Sequence, residues 1–354
     1  MGSIQTVAKV AGVSLATVSR VINNNPSVKQ ETVDKVQRAM KQLRYEPPAL
    51  GARRGPRPRS IDGIRSGVLV FLQIDPDYSR HGEELGALLH GLESATAEAE
   101  LALVFTALSS RESLPRILTS LKPDGLLLRG SRMDARLDDL LDRVPHVWLS
   151  SWKDQKGDHV LAGNEEVGKL AARYLADRGH RCIAYLNPNP NHPPFQARGE
   201  AFMFAARVAR IKAIGIECLR KPAPTTFDGR ILEERLEDLI RELQERTPTP
   251  TGIFIPYDPI TALAYRVFQR NGIRVGRDVD LISCNNFANA LLGLVPRPAT
   301  IDVRFDVLGQ RAVEQLLWRM RHPSEASHMH VVIDPLLVPG EIDWSPASVV
   351  APHR

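Results

Sequence analysis

No run in this 354-residue chain comes near the ~18 consecutive apolar residues that a membrane-spanning helix requires. The amino terminus lacks the basic-then-apolar pattern of a secretion signal, so no membrane partner and a cytoplasmic location are expected. Cysteine is scarce. Cys182, Cys218 and Cys284 are odd in number and far apart, which argues against a disulfide framework and against a zinc site built on CxxC pairs. They are expected to be buried or half-buried thiols that pack as small hydrophobes. His146, His159 and His192 show no metal-ligand spacing. There is no phosphate loop, no nucleophile elbow and no GxGxxG after a strand. Neither a metal, a cofactor nor an enzymatic activity is expected.

What is present is an ordinary globular composition, 43% hydrophobic and 25% charged, in a chain long enough for two or three domains. Its charge is unevenly placed. Residues 1–65 hold twelve Lys/Arg and four Asp/Glu, a local charge of +8 against +5 for the whole chain, so the remainder carries −3. A basic head on a mildly acidic body points to a polyanion partner for the head, because phosphate neutralisation supplies most non-specific affinity for DNA.

The first 45 residues read as three short helices. Ser3 is a candidate N-cap for the first, with Ile4, Val7, Ala8 and Ala11 at helical spacing. Gly12 suits the left-handed turn that ends it, and Val13 follows as a buried turn residue. Ser14 then caps a second helix, Leu15 to about Asn23, with Val18, Val21 and Ile22 inward and Leu15, Ala16, Ser19 and Arg20 outward. A third helix over Gln30–Leu43 places Val33, Val36, Met40 and Leu43 on one face. Two short helices joined by a glycine-containing turn make a helix-turn-helix, whose second helix enters the DNA major groove.

The run from Val7 to Asn23, followed by Val28, Thr32, Val36 and Tyr45-Glu46-Pro47, closely resembles the head of LacI/GalR-family repressors. By that resemblance Leu15, Ala16 and Arg20 occupy base-choosing positions, while Ser14, Thr17, Ser19 and Asn23 lie where the family contacts phosphates. The chemistry agrees: Arg20 can donate twice to guanine, and Leu15 and Ala16 can only touch a thymine methyl or exclude larger groups.

Residues 47–60 hold four prolines and four arginines, so they form no long regular helix and read as a hinge. The resemblance implies a short hinge helix on operator DNA with a leucine wedged in the minor groove. Here the wedge position falls at Arg54, and the nearest leucine is Leu50. Gly51 and Gly55 weaken a hinge helix further, by about 1 kcal/mol each. The expectation is therefore that Arg53 and Arg54 read a narrow minor groove electrostatically, with Leu50 as a shifted wedge and a flexible basic tether the competing readings.

From Ser66 onward strand-like runs (67–74, 101–107, 125–128, 146–149, 182–186, 252–255, 279–284) alternate with helix-compatible segments (83–99, 164–178, 198–213, 228–245, 259–271). Such alternation implies parallel sheets with helices on both faces. At this length two lobes are expected, with a ligand between them at the carboxyl ends of the strands. The fold class is thus an all-α helix-turn-helix head on an α/β, periplasmic-binding-protein-like body of two doubly wound lobes. The expected divisions are a head at 1–46, a hinge at 47–65 and an effector-binding body at 66–354. In the body, lobe 1 covers about 66–162 and 302–331, and lobe 2 about 163–301 and 332–345.

The resemblance continues more loosely through Asn164–Gly168, Arg178–Ala184, Arg198-Gly199 with Phe202, Thr251–Phe254, Asp278–Asp280 and Leu308–Val313. It implies that Arg198 clamps an effector's hydroxyls or carboxylate, a task suited to a guanidinium fork. Asp75, Ser150, Phe227, Asp258 and Asn285 fall near other lining positions. Tyr257 stands in place of a usual asparagine, Asn285 of a usual aspartate, and Gly163 of the aspartate before Asn164. Tyr78 and Trp152 are candidates to stack on a sugar face. His180, just after a helix C-terminus, reads as structural. The implied partners are palindromic operator DNA, a second copy of the chain and a small effector, a sugar or related metabolite. The alternative is a regulator whose pocket has degenerated and which acts without an effector.

Overall fold

The computed structural model describes residues 4–22, 28–43, 45, 64–74, 82–108, 114–120, 122–130, 135–150, 155–218 and 228–344. The chain divides into two units, residues 1–57 and 58–354.

In the first unit, α1 (Ile4–Ala11), α2 (Leu15–Ile22) and α3 (Gln30–Gln42) surround one small core. Val7, Ala8, Val18, Val21, Val36 and Ala39 are buried there, with Val13, Ile22, Val33, Met40 and Leu43 packed at its margin. The turn between α1 and α2 works because Gly12 takes φ +65°, a left-handed conformation in which a side chain would be strained. Ser14 caps α2 as expected, its Oγ accepting from the Thr17 amide at 3.1 Å. Ser3 lies outside the described residues.

The second unit contains two six-stranded sheets. In chain order the first lobe supplies β1 (Val68–Ile74), α4 (Gly82–Glu98), β2 (Ala102–Leu108), α5 (Arg116–Ser120), β3 (Gly125–Gly130), α6 (Asp138–Leu141), β4 (His146–Trp148) and β5 (Asp158–Ala162). The second supplies α7 (Asn164–Asp177), β6 (Cys182–Asn187), α8 (Pro193–Val208), β7 (Lys212–Glu217), α9 (Gly229–Glu245), β8 (Gly252–Phe254), α10 (Asp258–Arg270), β9 (Asp280–Cys284), α11 (Ala288–Leu291) and β10 (Ala299–Asp302). Then α12 (Phe305–Arg321) and β11 (His330–Ile333) return to the first lobe, and β12 (Leu336–Val338) to the second.

The strand orders, β11-β5-β4-β3-β1-β2 and β12-β10-β9-β8-β6-β7, are the same doubly wound pattern twice. Every pairing is parallel except β10 with β12. The central strands are apolar almost throughout, as sheets covered on both faces require.

Three differences from the sequence expectation have physical causes. The helix expected over 198–213 runs from Pro193 to Val208, because Pro193 and Pro194 start it at a point where no amide hydrogen is needed; residues 212–217 are strand β7. The edge strands β7, β11 and β12, the polar-rimmed β5 and the short β10 were not expected, since none shows a long apolar run. The chain crosses between lobes after Ala162, after Asp302 and after Ile333. The last two crossings come one and two residues later than expected, because Asp302 pairs with Leu336 and Ile333 with Ala162.

Candidate functional site

In the head, α2 is held by its buried side, Val18 and Val21, and its other side is left to solvent. Leu15 is 46% exposed and Arg20 is exposed. The Ser14 and Thr17 hydroxyls lie 2.9 Å apart at the amino end of the helix. Ala16 and Ser19 lie on the same helix, but their side chains are outside the description; Asn23, Leu50, Arg53 and Arg54 are outside the described residues altogether.

In the second unit a cavity of about 150 Å³ opens between the lobes at the carboxyl ends of the strands. The first lobe contributes Gln73 at the end of β1, Glu84 from α4, Arg129 and Gly130 at the end of β3, and Ser150 after β4. The second contributes Asn164, His192, Phe195, Arg198, Tyr257 and Asn285, and Phe305 and Leu308 close the side where α12 returns.

Arg198 is buried, with its Nε donating to Asn164 Oδ1 at 2.9 Å and one terminal nitrogen to the Pro256 carbonyl at 2.5 Å. Its place on α8 depends on Gly168 of α7, where a Cβ would lie 2.1 Å from the Arg198 carbonyl oxygen. Arg129 pairs with Glu84, and burial pulls its guanidinium down to about 10, still cationic at neutral pH. The Ser150 hydroxyl donates to the Gly130 carbonyl at 3.0 Å, pinning the ends of β3 and β4 together. Phe195, Tyr257, Phe287 and Phe305 form a run of ring contacts with centroids 5.7–6.2 Å apart. Two buried side-chain oxygens in the wall, Gln73 Oε1 and Asn285 Oδ1, have no hydrogen-bond partner among the described residues, and Asn285 sits at φ +105°.

Asp258 is not on the cavity wall. It is fully buried behind it, its Oδ2 accepting from the Phe287 amide at 2.7 Å and its Oδ1 from the Thr300 hydroxyl at 2.9 Å. Burial raises its pKa to about 7 despite those donors. Asp75, Tyr78, Trp152 and Phe227 lie outside the described residues.

His180 is a buried support. Its Nδ1 meets Thr251 Oγ1 at 2.8 Å, its Nε2 meets Asp280 at 3.2 Å, and Gly179 before it takes φ +85°. All three cysteines are buried and free. Among the described residues no cluster of His, Cys, Asp or Glu has metal-binding geometry, and no helix is long and apolar enough to cross a membrane.

Two family models match the chain, in the order of its two units. Residues 3–48 match the bacterial regulatory proteins of the lacI family, and residues 172–341 match the periplasmic binding protein-like domain. The head is thus a lacI-family domain and the body a periplasmic binding protein-like domain. The chain is 28% identical over 352 residues to the ribose operon repressor of Haemophilus influenzae, covering 98% of this chain and 99% of that one. It is 27% identical to the transcriptional repressor PurR of Vibrio atlanticus, over 93% and 96% of the two chains. These relatives are repressors, not enzymes.

The same architecture occurs in the lac repressor dimer bound to operator and the anti-inducer ONPF, at 20% identity, 97% and 99% coverage and a TM-score of 0.65. It occurs too in the regulator CelR in complex with cellobiose, at 21% identity, 97% and 100% coverage and 0.62. A third example is an Enterococcus faecium LacI-family regulator with bound ribose, at 21% identity, 77% and 98% coverage and 0.61.

Gln73, Glu84, Arg129, Asn164, His192 and Phe195 line the cavity although the sequence did not single them out as ligand contacts. Gln73 carried a usable signal: it is a polar residue inside the apolar strand VLVFLQI, and a buried polar group needs a reason.

Proposed function

We propose that the protein is a sequence-specific DNA-binding transcriptional repressor that acts as a homodimer on a palindromic operator and is controlled by a small molecule held between the two lobes. A head (1–46), a hinge (47–65) and a sensor (66–354) divide these tasks. In this reading Leu15, Ala16 and Arg20 choose bases, and Ser14, Thr17, Ser19 and Asn23 hold phosphates. Arg53, Arg54 or Leu50 engage the minor groove. The observation that carries the reading is the pairing of a helix-turn-helix head whose Arg20 side faces solvent with an inter-lobe cavity that holds unpartnered polar groups.

The lac repressor bound to operator and the regulators bound to cellobiose and ribose support the two halves of this reading. Arg198, Ser150, Tyr257 and Asn285 contact the effector directly, Asp258 supports them from behind, and the family resemblance adds Asp75, Tyr78, Trp152 and Phe227 as further effector contacts. Effector and operator are then coupled through their differential affinities for the two states of the dimer. The unpartnered amide oxygens of Gln73 and Asn285 favour an occupied pocket over a degenerate one, since a buried polar group without a partner is costly.

The test is binding selection from random duplexes with purified protein at physiological salt. A palindromic consensus is expected, and Arg20→Ala should cost roughly 1–3 kcal/mol and relax specificity at one base pair in each half-site. Equal binding to selected and random duplexes would sink the proposal.

A further inference from the structure

The charges of the cavity wall say more than that a ligand binds there. Among the described residues the wall holds two guanidinium groups, Arg129 and Arg198, and one carboxylate, Glu84, which is already paired with Arg129. The hydrogen-bond partners of Arg198 are neutral, the Asn164 amide and the Pro256 carbonyl, and its other terminal nitrogen has no acceptor among the described residues. The nearby acid Asp258 is turned away, committed to the Phe287 amide and the Thr300 hydroxyl. Burial raises its pKa to about 7 although the charge of Arg198 pulls it down, so at neutral pH it balances that guanidinium only in part. A buried guanidinium that is incompletely balanced is costly until an anion arrives.

The neutral part of the wall is equally informative. Gln73 and Asn285 are nine-tenths buried and present unpartnered amide oxygens. An amide can face a hydroxyl as acceptor or as donor, without the charge that a carboxylate would add. Phe195, Tyr257 and Phe305 offer apolar faces to carbon. The volume, about 150 Å³, is below the roughly 300–1,000 Å³ of a drug-sized pocket.

Resting on the reading of this cavity as the effector site, we infer that the effector is a small hydroxylated anion, with its acidic group on Arg198 and its hydroxyls on Gln73 and Asn285. A carboxylate and a phosphate ester share this chemistry, because both fit a guanidinium fork.

Calorimetric titration of the full-length protein with ribose, ribonate, ribose 5-phosphate and inorganic phosphate tests it. At least one of the two hydroxylated anions should bind about 100-fold more tightly than ribose, and which of them does so separates carboxylate from phosphate ester. Inorganic phosphate, lacking hydroxylated carbon, should bind weakly. Arg198→Gln should remove the preference for the anion. Asn285→Asp, which adds one negative charge to the wall and leaves Arg198 in place, should move the ratio toward ribose by about tenfold or more. The second variant keeps the test decisive if the first does not fold. Ribose bound as tightly as the anions, with that binding lost in Asn285→Ala, would overturn the charge assignment and leave the effector site standing. Anion binding unmoved by both Arg198→Gln and Asn285→Asp would overturn the site itself, and failure of every hydroxylated anion to bind overturns the inference.

Discussion

The two lobes share one strand order and differ in where they bury acid. At the amino ends of the first sheet lie Asp124 and Asp158, and at the amino end of β9 in the second lies Asp280. Asp124 accepts three backbone amides at the start of the lobe, from Arg65, Ser66 and Gly67. Asp158 takes Arg319, Gln315 and the Met329 amide: burial alone would raise its pKa, but these donors together hold it below the usual carboxylate value. Asp280 takes Arg178 at 2.6 Å and His180 at 3.2 Å. At the carboxyl ends, where the cavity lies, the second lobe alone among the described residues buries an aspartate, Asp258, and gives it neutral donors. Acids remote from the cleft are paired with cations or backbone amides and fasten the fold, although one Asp280 oxygen, Oδ1, has no partner among the described residues. The acid beside the cleft is left with its proton near balance, as expected where a fold gives up stability for function.

Four substitutions bear on that contrast. The largest effect is expected for Asp158→Ala, which strands the Arg319 guanidinium. Removing one partner of a buried pair costs about 3–5 kcal/mol, visible as a lowered urea midpoint; a loss under 1 kcal/mol would mean the amino-end acids do not hold the lobes together. Asp280→Asn keeps the shape and removes the charge seen by Arg178 and His180, so a loss of about 1.5–3 kcal/mol is expected from the same measurement.

Asp258→Asn should behave differently, because its effect depends on pH. The native carboxyl titrates at about 7 in the folded protein against 3.8 for an ordinary aspartate. A folded pKa raised in this way gives a contribution that is complete below 3.8 and lost as pH rises through 7. Each displaced unit corresponds to about 1.4 kcal/mol. The asparagine variant should therefore gain on the wild type between about pH 4 and pH 7 and hold a constant difference above; parallel stability curves across that range would erase the distinction between the two kinds of acid. The smallest effect belongs to Arg274→Ala, whose pair with Asp278 is exposed on both sides. About 0–1 kcal/mol is expected there, and a larger loss in thermal unfolding would show that surface pairs are being undervalued.

The head was legible in the sequence because its signals are local: Gly12, Ser14 and the Val18, Val21, Ile22 stripe determine their own turn and face within ten residues. The alternation of the body was legible for the same reason. What stayed hidden depends on distant parts of the chain. Lys212 and Ala213 look like the tail of a helix until β6 lies beside them, and Asp258 looks like a ligand contact until Phe287 and Thr300 turn it inward. The cavity residues Glu84, Arg129 and His192 come from three separate elements with no shared motif, so no spacing in the sequence announces them. Gln73 was the exception, readable as a polar intrusion in an apolar strand.

The three passages of the chain between lobes also dictate an order of completion. During synthesis the first sheet must wait: its edge strand β11 and its covering helix α12 follow the whole of β6–β10 in the sequence. The second lobe then lacks only β12 and the following segment that carries Ile342 and Trp344, while the first still exposes the apolar flank that Leu308, Ala312, Val313 and Leu316 will cover. Chains that end before α12 is complete are left with that flank bare, a surface that invites chaperones and aggregation. For this molecule, a late truncation damages the lobe that was started first.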